Sequence, residues 1–162
     1  MLFTKKSISL TAIVCVIRIY GAFIEAKLPG GIYLMDIMKE ELALLNIPVI
    51  AMIILLPLIC GLTTGIAVGY VGASFPIVIN LIGASPSPGL LLSTAILAYG
   101  AGYIGLLFSP VHVCNLVTNQ HFKTNLGKTL TGLIFPGIVF FICCILVSMV
   151  TRVFYGASIW GM

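Results

Sequence analysis

No Asp, Glu, Lys or Arg occurs between Glu41 and Lys123, a run of 81 residues, and around it apolar segments alternate with short breaks. The first apolar segment is Ile8–Ile24. Its Arg18 lies near the far end, where a long side chain reaches the headgroups. Glu25–Asn46 follows and holds all four acidic residues. After Pro29-Gly30-Gly31, residues Ile32, Met35, Met38, Leu42 and Leu45 recur at three- and four-residue intervals, with Asp36, Lys39, Glu40 and Glu41 between them. That spacing predicts an amphipathic helix over 32–45, lying in the plane of a membrane interface.

Residues 47–82 are apolar but interrupted at Gly61-Leu62-Thr63-Thr64-Gly65. The flanking pieces, Ile47–Cys60 and Ile66–Ile82, are short for a full crossing, and Pro57 and Pro76 weaken regular helix within them. Two short arms with a Gly/Thr tip predict a re-entrant hairpin. Two full crossings, or one continuous helix packed through a Gly61/Gly65/Gly69 face, are the competing readings. A turn-rich loop over 83–89 leads to a helix over 90–117. Ser109-Pro110-Val111-His112-Val113-Cys114-Asn115 breaks that helix, because proline removes a donor and disfavours helix at the residue before it. A polar segment, Thr118–Lys128, precedes a last helix over 129–151 that contains Pro136 and Gly137 and ends at Arg152.

Composition fixes the solvent. The chain is 60% apolar and 7% charged, with a mean hydropathy of +1.23. A soluble domain needs more charge than that on its surface. The fold class expected is an all-α membrane protein forming one domain over 1–162. It would hold about three full crossings plus a re-entrant hairpin, or five crossings, with one interfacial helix.

The net charge of +4 comes from basic residues in short runs between apolar segments. That is the pattern of loops retained in the cytoplasm, so nucleic acid is not an expected partner. Lys5 and Lys6 before Ile8–Ile17 resemble a secretory signal, but Arg18 arrives before any small-x-small cleavage site. The expectation is an uncleaved first helix in a multi-pass protein of the cell inner (plasma) membrane, amino terminus cytoplasmic. Lys5, Lys6, Lys123 and Lys128 then lie inside, and the 25–46 arm and Arg152 outside.

Candidate chemistry is sparse. Cys15, Cys60, Cys114, Cys143 and Cys144 are odd in number and show no CxxC spacing, which argues against a disulfide framework or a zinc site. No metal, cofactor or enzymatic activity is expected: Cys114 lacks the orienting groups of a thiol catalyst. Gly100, Gly102 and Gly105 match the letters of a dinucleotide fingerprint, yet they sit inside an apolar helix and no acidic residue follows them. Close helix packing explains them better.

The two interruptions carry the functional signal, since irregular backbone at membrane depth is tolerated only where protein buries it or a wet cavity meets it. Around Gly61, Thr63, Thr64 and Gly65, freed amides and hydroxyls could hold an anion. Around Ser109, His112 and Asn115, the imidazole is the one basic or acidic side chain between Glu41 and His121, placed to bind substrate or relay protons. Two breaks within one short helical unit match the organisation of secondary carriers.

The residues Ile47-Pro48 before Gly61-Leu-Thr-Thr-Gly65, Val71-Gly72-x-x-Phe75-Pro76, and Leu107-Phe-Ser-Pro-Val-His112-Val-Cys114 with His121-Phe-Lys123 resemble a prokaryotic membrane family. It is classed as domain of unknown function 401 and is similar to the ion-transporter superfamily of citrate, dicarboxylate and arsenite carriers. The resemblance is to the carboxyl-terminal half of such proteins, which are built from two inverted halves. It implies that substrate and coupling ion sit between the hairpin tip and the helix break, at Thr63–Thr64 and Ser109–Asn115. The tip lacks the Ser-Asn-Thr signature of dicarboxylate carriers.

The resulting expectation is one half of a secondary active transporter (permease) for a small, anionic organic or inorganic solute, coupled to protons or sodium. It would need a second transporter half or a homo-oligomer in the bilayer. The alternative is a non-transporting assembly or scaffold subunit, or a split remnant of a carrier.

Overall fold

The computed structural model describes residues 47–155 apart from 84, with a few scattered helical positions before 47. Apart from those scattered positions, the expected first helix (8–24) and interfacial helix (32–45) lie outside the described residues. Within them the fold is all-α, with six helices: α1 Val49–Thr64, α2 Ala67–Leu81, α3 Pro88–Phe108, α4 Val113–His121, α5 Leu126–Gly132 and α6 Ile134–Phe154.

The first break is narrower than the sequence suggests. Gly61 to Thr64 remain helical, because each threonine hydroxyl bonds back to a carbonyl of the preceding turn. Gly65 ends α1 by adopting the left-handed conformation (φ +61°), which a residue without Cβ enters at little cost, and its N–H returns to the Gly61 carbonyl at 2.9 Å. Ile66 is extended and α2 starts at Ala67. Gly65 therefore cannot belong to one continuous Gly61/Gly65/Gly69 helix face. The chain folds back instead, so that Leu81 at the end of α2 packs on Val49 and Met52 at the start of α1.

Helix α3 is central, and α1, α2 and α6 all pack on it. It starts cleanly: Ser87 caps it by accepting from the Leu90 N–H at 3.3 Å, with Pro88 in the first turn. It runs parallel to α1, Ile53 meeting Leu97 and Ala98 near one end and Gly65 meeting Ser109 near the other. The two backbones touch. A Cβ on Gly61 would collide with the Gly102 carbonyl oxygen, and one on Gly105 with the carbonyl oxygen of Leu58. Gly102 also receives the ring of Tyr70, which is fully buried. The glycines at 100, 102 and 105 are thus packing positions, as their place in an apolar helix predicts.

Helix α6 runs antiparallel to α3. Cys144 lies over Gly100, Phe108 over Gly137, and the Ser148 hydroxyl donates to the Ser93 carbonyl at 2.8 Å. Pro136 does not disturb α6 because the helix begins at Ile134 and the proline falls in the first turn. Among the described residues, two candidate membrane spans are long and apolar enough to cross: Pro88–His121, which contains the break, and Leu126–Phe154. The outer face of α6 is apolar, with Phe135 77% and Phe154 86% exposed, a surface suited to hydrocarbon rather than water.

Candidate functional site

Parallel packing of α1 and α3 brings the two chain breaks to one level. A Cβ on Gly65 would stand 3.0 Å from the Ser109 hydroxyl and 3.0 Å from the Val111 backbone, so the hairpin tip rests directly on the break between α3 and α4. Each break leaves carbonyls that its own helix no longer serves; the second break supplies donors for the first and repairs its own.

Leu62 would ordinarily accept from residue 66, but Ile66 has left the helix. The buried Ser109 hydroxyl takes that role, donating to the Leu62 carbonyl at 2.7 Å. His112 Nδ1 lies 2.9 Å from the Gly65 carbonyl oxygen. A carbonyl only accepts, so Nδ1 carries the proton and Nε2 holds the lone pair in the neutral ring. Asn115 repairs the other side, its amide donating to the Leu107 carbonyl at 2.9 Å. Residue 111, the ordinary partner of that carbonyl, turns its N–H to Ser109 Oγ at 3.4 Å.

The expected site residues therefore divide. Gly65, Ser109 and His112 meet. Gly61 lies one turn below, against Gly102, as a packing glycine. Thr63 is exposed and Thr64 half-buried, and both hydroxyl protons are engaged within α1, by Ile59 at 2.9 Å and Cys60 at 2.7 Å. Neither donates into the space between the breaks. Asn115 holds the end of α3 rather than the tip.

Two backbone features remain there. α2 starts after Ile66 and α4 after His112, each without a side-chain cap. Because Gly65 touches Val111, these two amino-terminal ends begin side by side. The neighbouring carbonyls of Leu62 and Gly65 are already occupied by Ser109 and His112, while the first amides of α2 and α4 carry no side-chain cap.

Two polar clusters were not singled out by the sequence. On α3 and α6, Arg152 Nε donates to Ser93 Oγ at 3.1 Å beside the Ser148–Ser93 bond. Where α4 ends, buried Asn119 donates to the Asn115 carbonyl and accepts from the Thr124 and Thr129 hydroxyls at 2.6 and 2.7 Å. The serines are spaced like any small residue in an apolar helix. Asn119 lies in a stretch that reads locally as a polar loop.

No curated protein and no solved structure matches the chain. A family model described as Protein of unknown function (DUF401) matches residues 1–154, and the chain belongs to that family.

Proposed function

We propose that this chain is one half of a secondary active transporter for a small anion, coupled to protons or sodium and completed in the membrane by a second half or a second copy. The observation that carries the reading is the meeting of the two breaks, Gly65 on Ser109 and Val111, within a largely apolar helical unit. A packed bundle gains nothing from two irregular segments at one level. A carrier needs them, since amides released from the helical pattern can hold a solute without a fixed charge. The uncapped ends of α2 and α4 supply such amides, and the anion preference rests on them.

In this reading Ser109 and His112 hold the hairpin tip in place, and His112 Nε2 is the available acceptor for a coupling proton. Thr63 and Thr64 set the shape of the tip through the backbone rather than as donors. The second half is required because a polar junction left against lipid costs several kcal/mol for each unsatisfied group. The alternative, a non-transporting assembly subunit or split remnant, draws support from the same hydrogen bonds: the side chains at the junction already serve backbone carbonyls freed there. Uptake of a panel of radiolabelled carboxylates and oxyanions into proteoliposomes distinguishes the two. Saturable uptake that Ser109→Ala and His112→Leu both reduce supports the carrier. Tight junction geometry with no uptake in any partner combination supports the scaffold.

A further inference from the structure

A cavity of about 400 Å³ opens where α4 gives way to α5, lined by Leu116, Asn119, Gln120, Lys123, Thr124 and Leu126. It lies between the end of one candidate span, Pro88–His121, and the start of the next, Leu126–Phe154. In a bilayer that is the depth of the headgroups. Its walls are mixed: Leu116 and Leu126 offer hydrocarbon, Gln120 and Thr124 polar groups, and Lys123 an ammonium. The floor is rigid, because Asn119 is tied to Asn115, Thr124 and Thr129 at once.

Lys123 is held in an unusual way. It follows α4 with φ +51°, the left-handed position that closes a helix end and that glycine ordinarily fills. The closing bonds are present, Thr124 N–H to the Asn119 carbonyl at 3.0 Å and Lys123 N–H to the Gln120 carbonyl at 3.4 Å. A side chain there costs backbone strain of order 1 kcal/mol, so the fold alone would favour glycine. No Asp or Glu follows Glu41 in the chain, and Lys123 makes no ion pair among the described residues. The strained position puts a cation on a half-apolar cavity at headgroup depth, with Lys128 close by in sequence.

We propose that this cavity binds the headgroup of an anionic phospholipid, its phosphate against Lys123 and its glycerol and first acyl carbons against Leu116 and Leu126. The chemistry recognised is a phosphate carrying an apolar tail. A free phosphate would leave both leucines unused. The lipid site is independent of the carrier reading and would exist equally on a scaffold subunit.

The test uses the full chain in nanodiscs of phosphatidylcholine, alone or mixed with phosphatidylglycerol, and compares it with Lys123→Gly. Glycine accepts the backbone conformation, so the variant folds and is at least as heat-stable in phosphatidylcholine. Phosphatidylglycerol should raise the melting temperature of the natural protein, and Lys123→Gly should lose most of that rise. Its affinity for fluorescent phosphatidylglycerol in micelles should fall about fivefold, the effect of one lysine at an anionic surface. Lys123→Gln, which keeps the stem, should lose the response as well, whereas Lys128→Gln, outside the cavity lining, should keep most of it. An undiminished response in Lys123→Gly overturns the proposal. So does an equal stabilisation of the natural protein by inorganic phosphate in phosphatidylcholine, which would make this a free-anion site.

Discussion

His112 and Gly65, 47 positions apart in the chain, are joined by a 2.9 Å hydrogen bond from Nδ1 to a carbonyl released at the hairpin tip. Both protonation states of the ring can make this bond, since Nδ1 is a donor in the neutral tautomer and in the cation. A proton arriving at Nε2 changes the charge at the junction without unfastening it.

The role of Nδ1 separates two substitutions. His112→Asn places an amide near the Nδ1 position and should retain most of the stability, whereas His112→Leu leaves the Gly65 carbonyl unserved and should cost about 1–3 kcal/mol. Thermal unfolding in nanodiscs checks the order. If the imidazole carries the coupling proton, His112→Asn should also remove the pH dependence of uptake while leaving the protein folded. An unchanged pH dependence would point to sodium.

Ser109 fastens the same junction from the α3 side. Ser109→Ala removes the hydroxyl that serves the Leu62 carbonyl from a fully buried position, with an expected loss of about 1–3 kcal/mol. A cysteine placed at Leu62 in a cysteine-free background should then label faster, because the tip is released. Equal labelling rates with and without the hydroxyl would show that the tip is held elsewhere.

The glycines of the α1–α3 contact should be intolerant, and one further glycine should not be. Gly61→Ala and Gly105→Ala drive a methyl into the carbonyl of the facing helix and should destabilise by about 1–3 kcal/mol or more. Gly132, at the end of α5, has open space where a Cβ would go, so Gly132→Ala should be neutral or stabilising by up to about 1 kcal/mol. Unfolding midpoints of the three variants give the comparison directly.

The existence of both breaks was legible from local chemistry, because Pro110 and the Gly/Thr cluster each disfavour continuous helix. The residue at which the first break falls was not. Threonine in an apolar helix is served by its own preceding turn, so Thr63 and Thr64 extend α1 and only Gly65, through its left-handed φ, ends it. That Gly102 and Gly105 are packing glycines was readable from their setting. That they meet Gly61 and Leu58 was not, since the register of two helices is a long-range property. Asn119 escaped notice for a similar reason: its partners Thr124 and Thr129 lie beyond one helical turn, and nothing local separates a buried asparagine from a loop one.

Hairpin insertion is a separate question from hairpin geometry. A re-entrant α1–α2 predicts that single cysteines at Leu62 and Ser87 react differently with a membrane-impermeant maleimide, Ser87 from outside and Leu62 weakly or through a polar cavity. Strong labelling of Leu62 from the cytoplasmic side would indicate two full crossings instead.

The central claim, that the two breaks form one anion site, is tested most directly by binding and uptake at the junction itself. Proteoliposomes holding the chain with its complementary half, or with a second copy, should take up a small anion saturably. His112→Leu and Ser109→Ala should each weaken apparent affinity for that anion, by about 1–3 kcal/mol, while a cation of similar size is not taken up at all. Saturable uptake that is indifferent to both substitutions, or no uptake of any small anion in any pairing, would contradict it.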